Sequence, residues 1–342
     1  MKNKWINGRK VKRIVNYSLL LYTLYVCILS LYLYKITPAK KINKLDNQSY
    51  YITFDYLKEK AAFLLDSNNV TVVDYSKVKS LGVDNELSYN PVSIGLMGLR
   101  YHQDHIKDSL SNKKEFVLSH ADWFVKNQQE GGEWEITHNK KIGNEVLEDP
   151  WISSLSQGFG ISVLARAFAL DKDSSYIFAI EKALTPFTKN ISEGGISFDT
   201  DFGVFYEEYP VKKPHHVLNG FIYSLFGLYD AYQATNSPTA LKLFNNGVGT
   251  LENIIEEFDN DNWSFYSLNK EPSFKNHWNY SSPFYQKIHA AQLHGIYLIT
   301  DKKVFKTYAD KFEQQHRSSW VNYIIYPAYV VYTDFVWIYR LF

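Results

Sequence analysis

Residues 217–232 read VLNGFIYSLFGLYDAY, and this stretch decides the fold. Its apolar side chains fall at Leu218, Phe221, Ile222, Leu225, Leu228 and Tyr229. Spacing by three and four puts them on one face of a helix, whereas a half-buried strand would alternate. Upstream, Leu155, Phe159, Val163 and Ala167 recur every four residues, and Ser156 and Gly160 are small enough for close helix contact. The same period predicts helices over 92–110, 116–128, 151–170, 175–189, 214–234, 238–258, 284–299 and 302–315. Links within a pair are short, at 111–115, 171–174, 235–238 and Thr300-Asp301. Links between pairs run to roughly twenty to twenty-five residues, a length uncommon in compact domains unless it serves function. They carry strand-like patches such as Gly195-Ile196-Ser197-Phe198 and Trp263-Ser264-Phe265-Tyr266. This alternation predicts an all-α fold: an (α/α) barrel or toroid of helix hairpins with β-hairpin loops. In such a ring the long loops leave at one end, and a site is expected there. An α-helical solenoid with decorative loops is the alternative.

The N-terminal region follows a different logic. Residues 17–34, YSLLLYTLYVCILSLYLY, carry no charge. With Ile14 and Val15 the run reaches the length of a tilted membrane helix. Bulky Leu and Tyr continue to its end, so a retained signal anchor is expected over 14–35 rather than a cleaved signal peptide. Lys2, Lys4, Arg9, Lys10, Lys12 and Arg13 precede it, and Lys35, Lys40, Lys41 and Lys44 follow. That excess predicts a cytoplasmic basic tail over 1–13, with the bulk of the chain outside the cytoplasmic membrane, or in the Golgi lumen of a eukaryote. Residues 36–89 are polar with short alternating stretches such as Tyr50-Tyr51-Ile52-Thr53-Phe54, and are expected to form a stalk and an irregular cap. Residues 90–315 make the helical domain, and 316–342 an aromatic C-terminal tail. Within the tail only Asp334 and Arg340 are charged after residue 319. Pro327 and Asp334 argue against a second span, so packing on the helical domain or against the membrane surface is expected.

Composition removes several function classes. The chain has 342 residues, with 37 Lys and Arg against 36 Asp and Glu, so no basic surplus points to nucleic acid. Apolar residues make up 45%, which excludes a disordered chain and permits a large core. Aromatics reach 17%. That suits a stacking surface for sugars, and equally the codon usage of an AT-rich genome. The single cysteine, Cys27, lies in the anchor, so there is no intrachain disulfide and no cysteine-based zinc site. His102-x-x-His105 and His215-His216 lack acidic partner sets, and no metal is expected. Gly-x-Ser-x-Gly, P-loop and dinucleotide patterns are absent.

Three polar clusters remain. In Phe205-Tyr206-Glu207-Glu208-Tyr209-Pro210, adjacent acids on an extended segment point opposite ways. One can face solvent while the other enters an aromatic pocket, where burial raises its pKa toward the range of a general acid or base. Tyr266 ends an aromatic strand. Tyr280-Ser281-Ser282-Pro283-Phe284-Tyr285 runs into a helix on which Tyr285, His289 and Gln292 form a polar stripe, the usual mark of a satisfied core network. Paired carboxylates for glycoside hydrolysis stay open, because spacing across loops is unreadable.

Residues 150–173, PWISSLSQGFGISVLARAFALDKD, and 205–232, FYEEYPVKKPHHVLNGFIYSLFGLYDAY, resemble the C-terminal domain of the heparan-sulfate/heparosan D-glucuronyl C5-epimerase family. So do ADWFVKNQQEGGEW at 121–134 and SSPFYQKIHAAQL at 281–293. The likeness covers about 90–315. It implies an (α/α) barrel, and leaves no room for the β-rich domain that precedes it in animal members. A short, anchored, AT-rich member looks bacterial. The implied reaction converts D-glucuronate to L-iduronate within a polysaccharide and needs no cofactor. A base removes the C5 hydrogen on one face, an acid returns it on the other, and donors stabilise the enolate between.

By this resemblance Glu208 and Tyr285 flank the ring, while Tyr209 and Tyr266 complete the proton path or hold the carboxylate. Trp151, Ser153 and Asn219 line the glycan cleft, with Asn269, Ser281, Ser282, Lys287 and His289 beside them; His289 also reads as a support for Tyr285. Two departures stand out. Asn269 replaces an arginine that animal members carry three residues after the tyrosine matching Tyr266, and Lys287 is the candidate substitute. The family's Tyr-Pro-x-Gln reads Asn90-Pro91-Val92-Ser93. The expected partners are a uronate-containing polysaccharide and a membrane, not nucleic acid, and a homodimer stays open. A polysaccharide lyase, which would expel the C4 substituent, and a non-catalytic glycan-binding protein are the competing readings.

Overall fold

The structure is a computed structural model that describes residues 8–35, 39–45, 49–54, 62–77, 87–268, 279–318 and 324–332. It is mostly helical with small sheets. Helix α1 spans Gly8–Lys35. Four hairpins follow: α2 (Pro91–Lys107) with α3 (Lys113–Lys126), α4 (Ser154–Asp171) with α5 (Ser174–Ala183), α6 (Leu218–Thr235) with α7 (Pro238–Ile254), and α8 (Pro283–Thr300) with α9 (Lys303–Arg317). A last helical stretch, α10, covers 324–332. Each helix pair falls where the apolar period puts it.

The boundaries are chemical. Asn90, Ser153, Asp173, Ser237 and Ser282 each accept a backbone N–H of the helix they precede, and proline follows at Pro91, Pro238 and Pro283. Ser153 explains why α4 begins later than its apolar run. The tight turns inside three hairpins share one device. Lys172, Asn236 and Asp301 take left-handed backbone at φ 64°, 55° and 55°, and the next helix starts within two residues.

Helices α2, α4, α6 and α8 pack in succession, each with its partner beside it. The tightest joint is between α4 and α6. A Cβ at Gly158 would lie 2.7 Å from the Tyr223 carbonyl oxygen, and one at Gly227 would lie 2.5 Å from the Gly158 Cα. The small residue that brings these backbones together is therefore Gly158, not Gly160. Gly160 instead admits the Trp134 ring, whose Cζ3 would sit 2.6 Å from an added Cβ.

Between α2 and α8 runs a segment from the region expected to form a stalk and an irregular cap. Tyr50, Tyr51, Ile52 and Phe54 are all buried in the main core. The Tyr51 hydroxyl donates to Asp230 on α6 at 2.6 Å, and Asp230 also pairs with Arg166 on α4 at 2.6 Å. Arg100 on α2 donates to the Phe54 carbonyl at 2.9 Å. An added Cβ at Gly295 on α8 would touch Tyr51. Residues 50–54 thus contact every inner helix. Strands β1 (Phe63–Leu65), β2 (Thr71–Asp74) and β3 (Leu87–Ser88) form an antiparallel sheet against α2, tied by Thr71 to His120 at 2.8 Å.

The long links all enter the N-terminal ends of α4, α6 and α8. They contain the hairpins β4 (Lys140–Ile142) with β5 (Glu145–Leu147), and β6 (Ser197–Thr200) with β7 (Gly203–Tyr206). They are also stitched to one another. Ser154 N–H donates to the Glu207 carbonyl at 3.1 Å, and Leu218 N–H to the Tyr266 carbonyl at 3.1 Å.

Gly158→Ala should lower stability by about 1–3 kcal/mol, because neither backbone can retreat. Gly249→Ala on α7, where an added Cβ meets nothing within 4 Å, should gain up to about 1 kcal/mol. Denaturant titration of both variants in detergent checks the contrast; equal behaviour would remove the α4–α6 argument.

Candidate active site

The loop after β7 carries Glu207 and Glu208 past the start of α6. Strand β7 ends at Tyr206 and the chain bends at Glu208, and neither acid faces solvent as expected of one of them. Glu207 is fully buried and holds the His216 Nδ1 at 2.5 Å. Glu208 is 5% exposed, and its Oε2 has no hydrogen-bond partner among the described residues. It lies against the first turn of α6, where an added Cβ at Gly220 would come within 2.8 Å of the Glu208 Cβ. Only glycine permits this approach.

Burial pushes the Glu208 carboxyl up to about 7, while hydrogen bonding from Tyr209 and the charge of Lys140 hold it down. Three phenols continue from it. Tyr209 bonds Glu208, and Tyr266 bonds both Tyr209 and Tyr285. The Tyr266 and Tyr285 rings are 4.8 Å apart. Burial and the Glu208 charge push all three phenols above the usual tyrosine range, so each is a neutral O–H at ordinary pH. The four residues come from three chain segments: the loop after β7, the strand-like segment before residue 268, and the first turn of α8.

Trp151 walls one side. Its ring is 6.0 Å from Tyr209, and its indole N–H donates to the His138 carbonyl at 2.8 Å. Lys140 of β4 places its ammonium 5.9 Å from the Tyr209 ring centroid. Nothing in the sequence around Lys140 signals this position; it depends on how the β4–β5 hairpin folds back. Asn219, 4% exposed, leaves its Oδ1 unpartnered among the described residues, while its carbonyl accepts from Gln292 at 3.0 Å.

Other expected residues support the site from behind. The Ser153 hydroxyl caps α4 by accepting Leu155 N–H at 3.2 Å. Ser282 caps α8 by accepting Tyr285 N–H at 3.3 Å. Ser281, fully buried, joins Ser264 at 2.8 Å and Gln286 at 3.0 Å. His289 is fully buried, with Nδ1 2.9 Å from the Ser264 hydroxyl, and burial pushes it down to about 3. Its Nδ1 bond ties α8, one turn beyond Tyr285, to the segment that carries Tyr266. Lys287 points elsewhere. Its ammonium donates to the Leu33 and Tyr34 carbonyls at 3.1 and 2.7 Å, at the end of α1. It therefore does not stand in for the missing arginine. Asn269 lies outside the described residues. Among the described residues no cluster of His, Cys, Asp and Glu could hold a metal ion.

The raised Glu208 carboxyl has a stability signature. Folded, it titrates near 7; unfolded, near the ordinary glutamate value of about 4.3. Its contribution is full below the unfolded value and is lost as pH rises through the folded one. Glu208→Gln should therefore gain stability over wild type between about pH 4.5 and 7, by an amount on the order of 3 kcal/mol at the plateau. Denaturation midpoints across that range check this; a pH-independent difference would refute the buried carboxyl.

Comparison with known proteins follows the same segments. The family model described as the D-glucuronyl C5-epimerase C-terminus matches residues 127–314, more than half of the chain. A D-glucuronyl C5-epimerase of Caenorhabditis elegans is 32% identical over 235 residues, covering 65% of this chain and 38% of that protein. The chain thus spans well under half the length of that relative. An uncharacterized protein of Methanocaldococcus jannaschii is 21% identical over 279 residues, covering 76% of this chain and 87% of its own length. On the extent of the model match, which takes in Glu208, Tyr209, Tyr266 and Tyr285, this chain belongs to the D-glucuronyl C5-epimerase C-terminal family.

Proposed function

We propose that this protein is an isomerase, a C5-epimerase that converts D-glucuronate to L-iduronate residues within a polysaccharide. The observation that carries the reading is a buried carboxyl titrating near 7 and joined through hydroxyls to a phenol on another element. The ionised Glu208 takes the C5 proton, which is acidified by the neighbouring carboxylate. Tyr209 and Tyr266 donate to the enolate oxygens. Tyr285 delivers its proton to the opposite face of C5, which inverts the centre and leaves a phenolate. The row Glu208–Tyr209–Tyr266–Tyr285 then returns the first proton to Tyr285. No net proton is gained or lost, so the cycle resets without a co-reactant. The unpartnered Asn219 Oδ1 and the Trp151 ring suit a sugar's hydroxyls and its apolar face.

The membrane reading belongs with this. The segment Val15–Lys35 of α1 is long and apolar enough to cross a membrane, with a mean hydropathy of 1.6. The basic residues before it orient the N-terminus to the cytoplasm, which puts the catalytic domain on the other side. The substrate is then an exported or surface glycan.

Uronate polymers incubated with the protein in deuterated water should acquire deuterium at C5, read by NMR. An unsaturated product absorbing in the ultraviolet would instead make the protein a lyase. Glu208→Gln and Tyr285→Phe should each lower exchange at least about a hundredfold. The wild-type rate should fall about tenfold per pH unit below about 7 as Glu208 protonates. His289→Ala should mainly cost stability. Full inversion by Tyr285→Phe would end this assignment. A reporter that works only outside the cytoplasm, fused to the C-terminus, should give signal; a silent, stable fusion would reverse the topology.

A further inference from the structure

Helix α10 lies beyond the family match, which ends at residue 314. Its sequence, in the aromatic tail, gives no sign of a catalytic part. Yet it is well seated. Tyr326 is 1% exposed and Val330 fully buried. The Tyr326 hydroxyl is 2.7 Å from the His316 Nδ1. Its ring lies 5.9 Å from Tyr34 at the end of α1 and 6.2 Å from the buried Trp263. Leu33 of α1 and Ile325 pack on the same pair. So α10 touches the end of the membrane helix and the segment that leads to Tyr266.

One turn later, on the same face of α10, Tyr329 makes a second contact. It hydrogen-bonds the side chain of Ser282. Ser282 is the cap of α8 and accepts the N–H of Tyr285. Tyr329 is also near enough to Tyr285 to act on it electrostatically. The contacts therefore run from Tyr34 to Tyr326, and from Tyr329 through Ser282 to Tyr285, off neighbouring positions of one α10 face. Lys287, two residues after Tyr285, makes a second tie from α8 to the Leu33 and Tyr34 carbonyls.

We infer that α10 is an arm of the active site: Tyr326 seats it on the end of α1, and Tyr329 is a positioning residue that holds Tyr285 in place through Ser282. Tyr329 need not touch substrate. A cap hydroxyl held on one side by Tyr329 has fewer orientations for the N–H it accepts, and Tyr285 sits on that N–H. The arm joins the anchored end of the chain to the group that delivers the second proton.

The rate test rests on the epimerase reading; the geometric test does not. In full-length protein in detergent, Tyr329→Phe keeps the ring and loses only the hydroxyl. It should lower kcat for C5 inversion by about tenfold to a hundredfold, with KM within about threefold. Ser282→Ala should do the same. If Tyr329 acts through Ser282, the double variant should be no worse than either single one. Wild-type kcat in Tyr329→Phe, or losses that multiply in the double variant, would overturn the inference. Independently, in a Cys27→Ser background, Tyr34→Cys with Tyr326→Cys should cross-link with a short bismaleimide, seen as a mobility change. Absence of that cross-link in folded protein would overturn the seating of the arm whatever the protein catalyses. A cross-link without any C5 exchange by wild type would count against the epimerase reading and leave the seating supported.

Discussion

Contact between the backbones of α4 and α6 is the constraint on which the rest depends. Gly158 and Gly227 let the two helices meet without side chains between them. Both helices receive long links at their N-terminal ends, so the close crossing draws those links into one place. The Ser154 N–H then reaches the Glu207 carbonyl, and the Leu218 N–H reaches the Tyr266 carbonyl. Acid and phenol are thus set by backbone hydrogen bonds to the ends of two touching helices. A site on rigid elements keeps its geometry better than one on free loops.

The same packing creates an electrostatic imbalance. Glu208, Asn219, His289 and Gln292 each bury a polar atom without a partner among the described residues. Such atoms cost stability when left unsatisfied. These four sit on α6, on α8 and on the loop before α6, beside Gln286 and Ser264, which are bonded. The paired acids show the division within two residues. Glu207 spends its charge on His216 and on the loop's own backbone, whereas Glu208 keeps an oxygen for other use.

Much of this was legible in the sequence, and the limits have physical causes. Helices with one apolar face announce themselves by period, and Ser-Pro or Asn-Pro pairs announce their starts. Strand alternation predicted that one of Glu207 and Glu208 would be buried. Burial of both did not follow, because it depends on what the neighbouring links cover. Tyr50–Phe54 read as part of a stalk and irregular cap, since its local composition cannot reveal four inner helices waiting around it. Lys287 was the candidate substitute for the arginine that Asn269 replaces. Helical geometry sends a side chain two residues after Tyr285 to a different face, and there the carbonyls of α1 take it. Tyr329 was out of reach for a similar reason, lying after the helical period ends.

Lys287 has a consequence for motion. A helix end normally leaves its last carbonyls to solvent and can hinge there. Here a buried ammonium occupies the Leu33 and Tyr34 carbonyls, so the last turn of α1 is tied to α8. A domain on a loose tether explores a cap-shaped volume above its anchor and meets polymer from many angles. A domain fixed to its anchor by a capped helix end turns only as the anchor turns. With α1 in a membrane, as proposed, the search for substrate would become that of a plane, with rotation about the helix axis and lateral drift as the free movements, and the cleft would keep one height and one tilt.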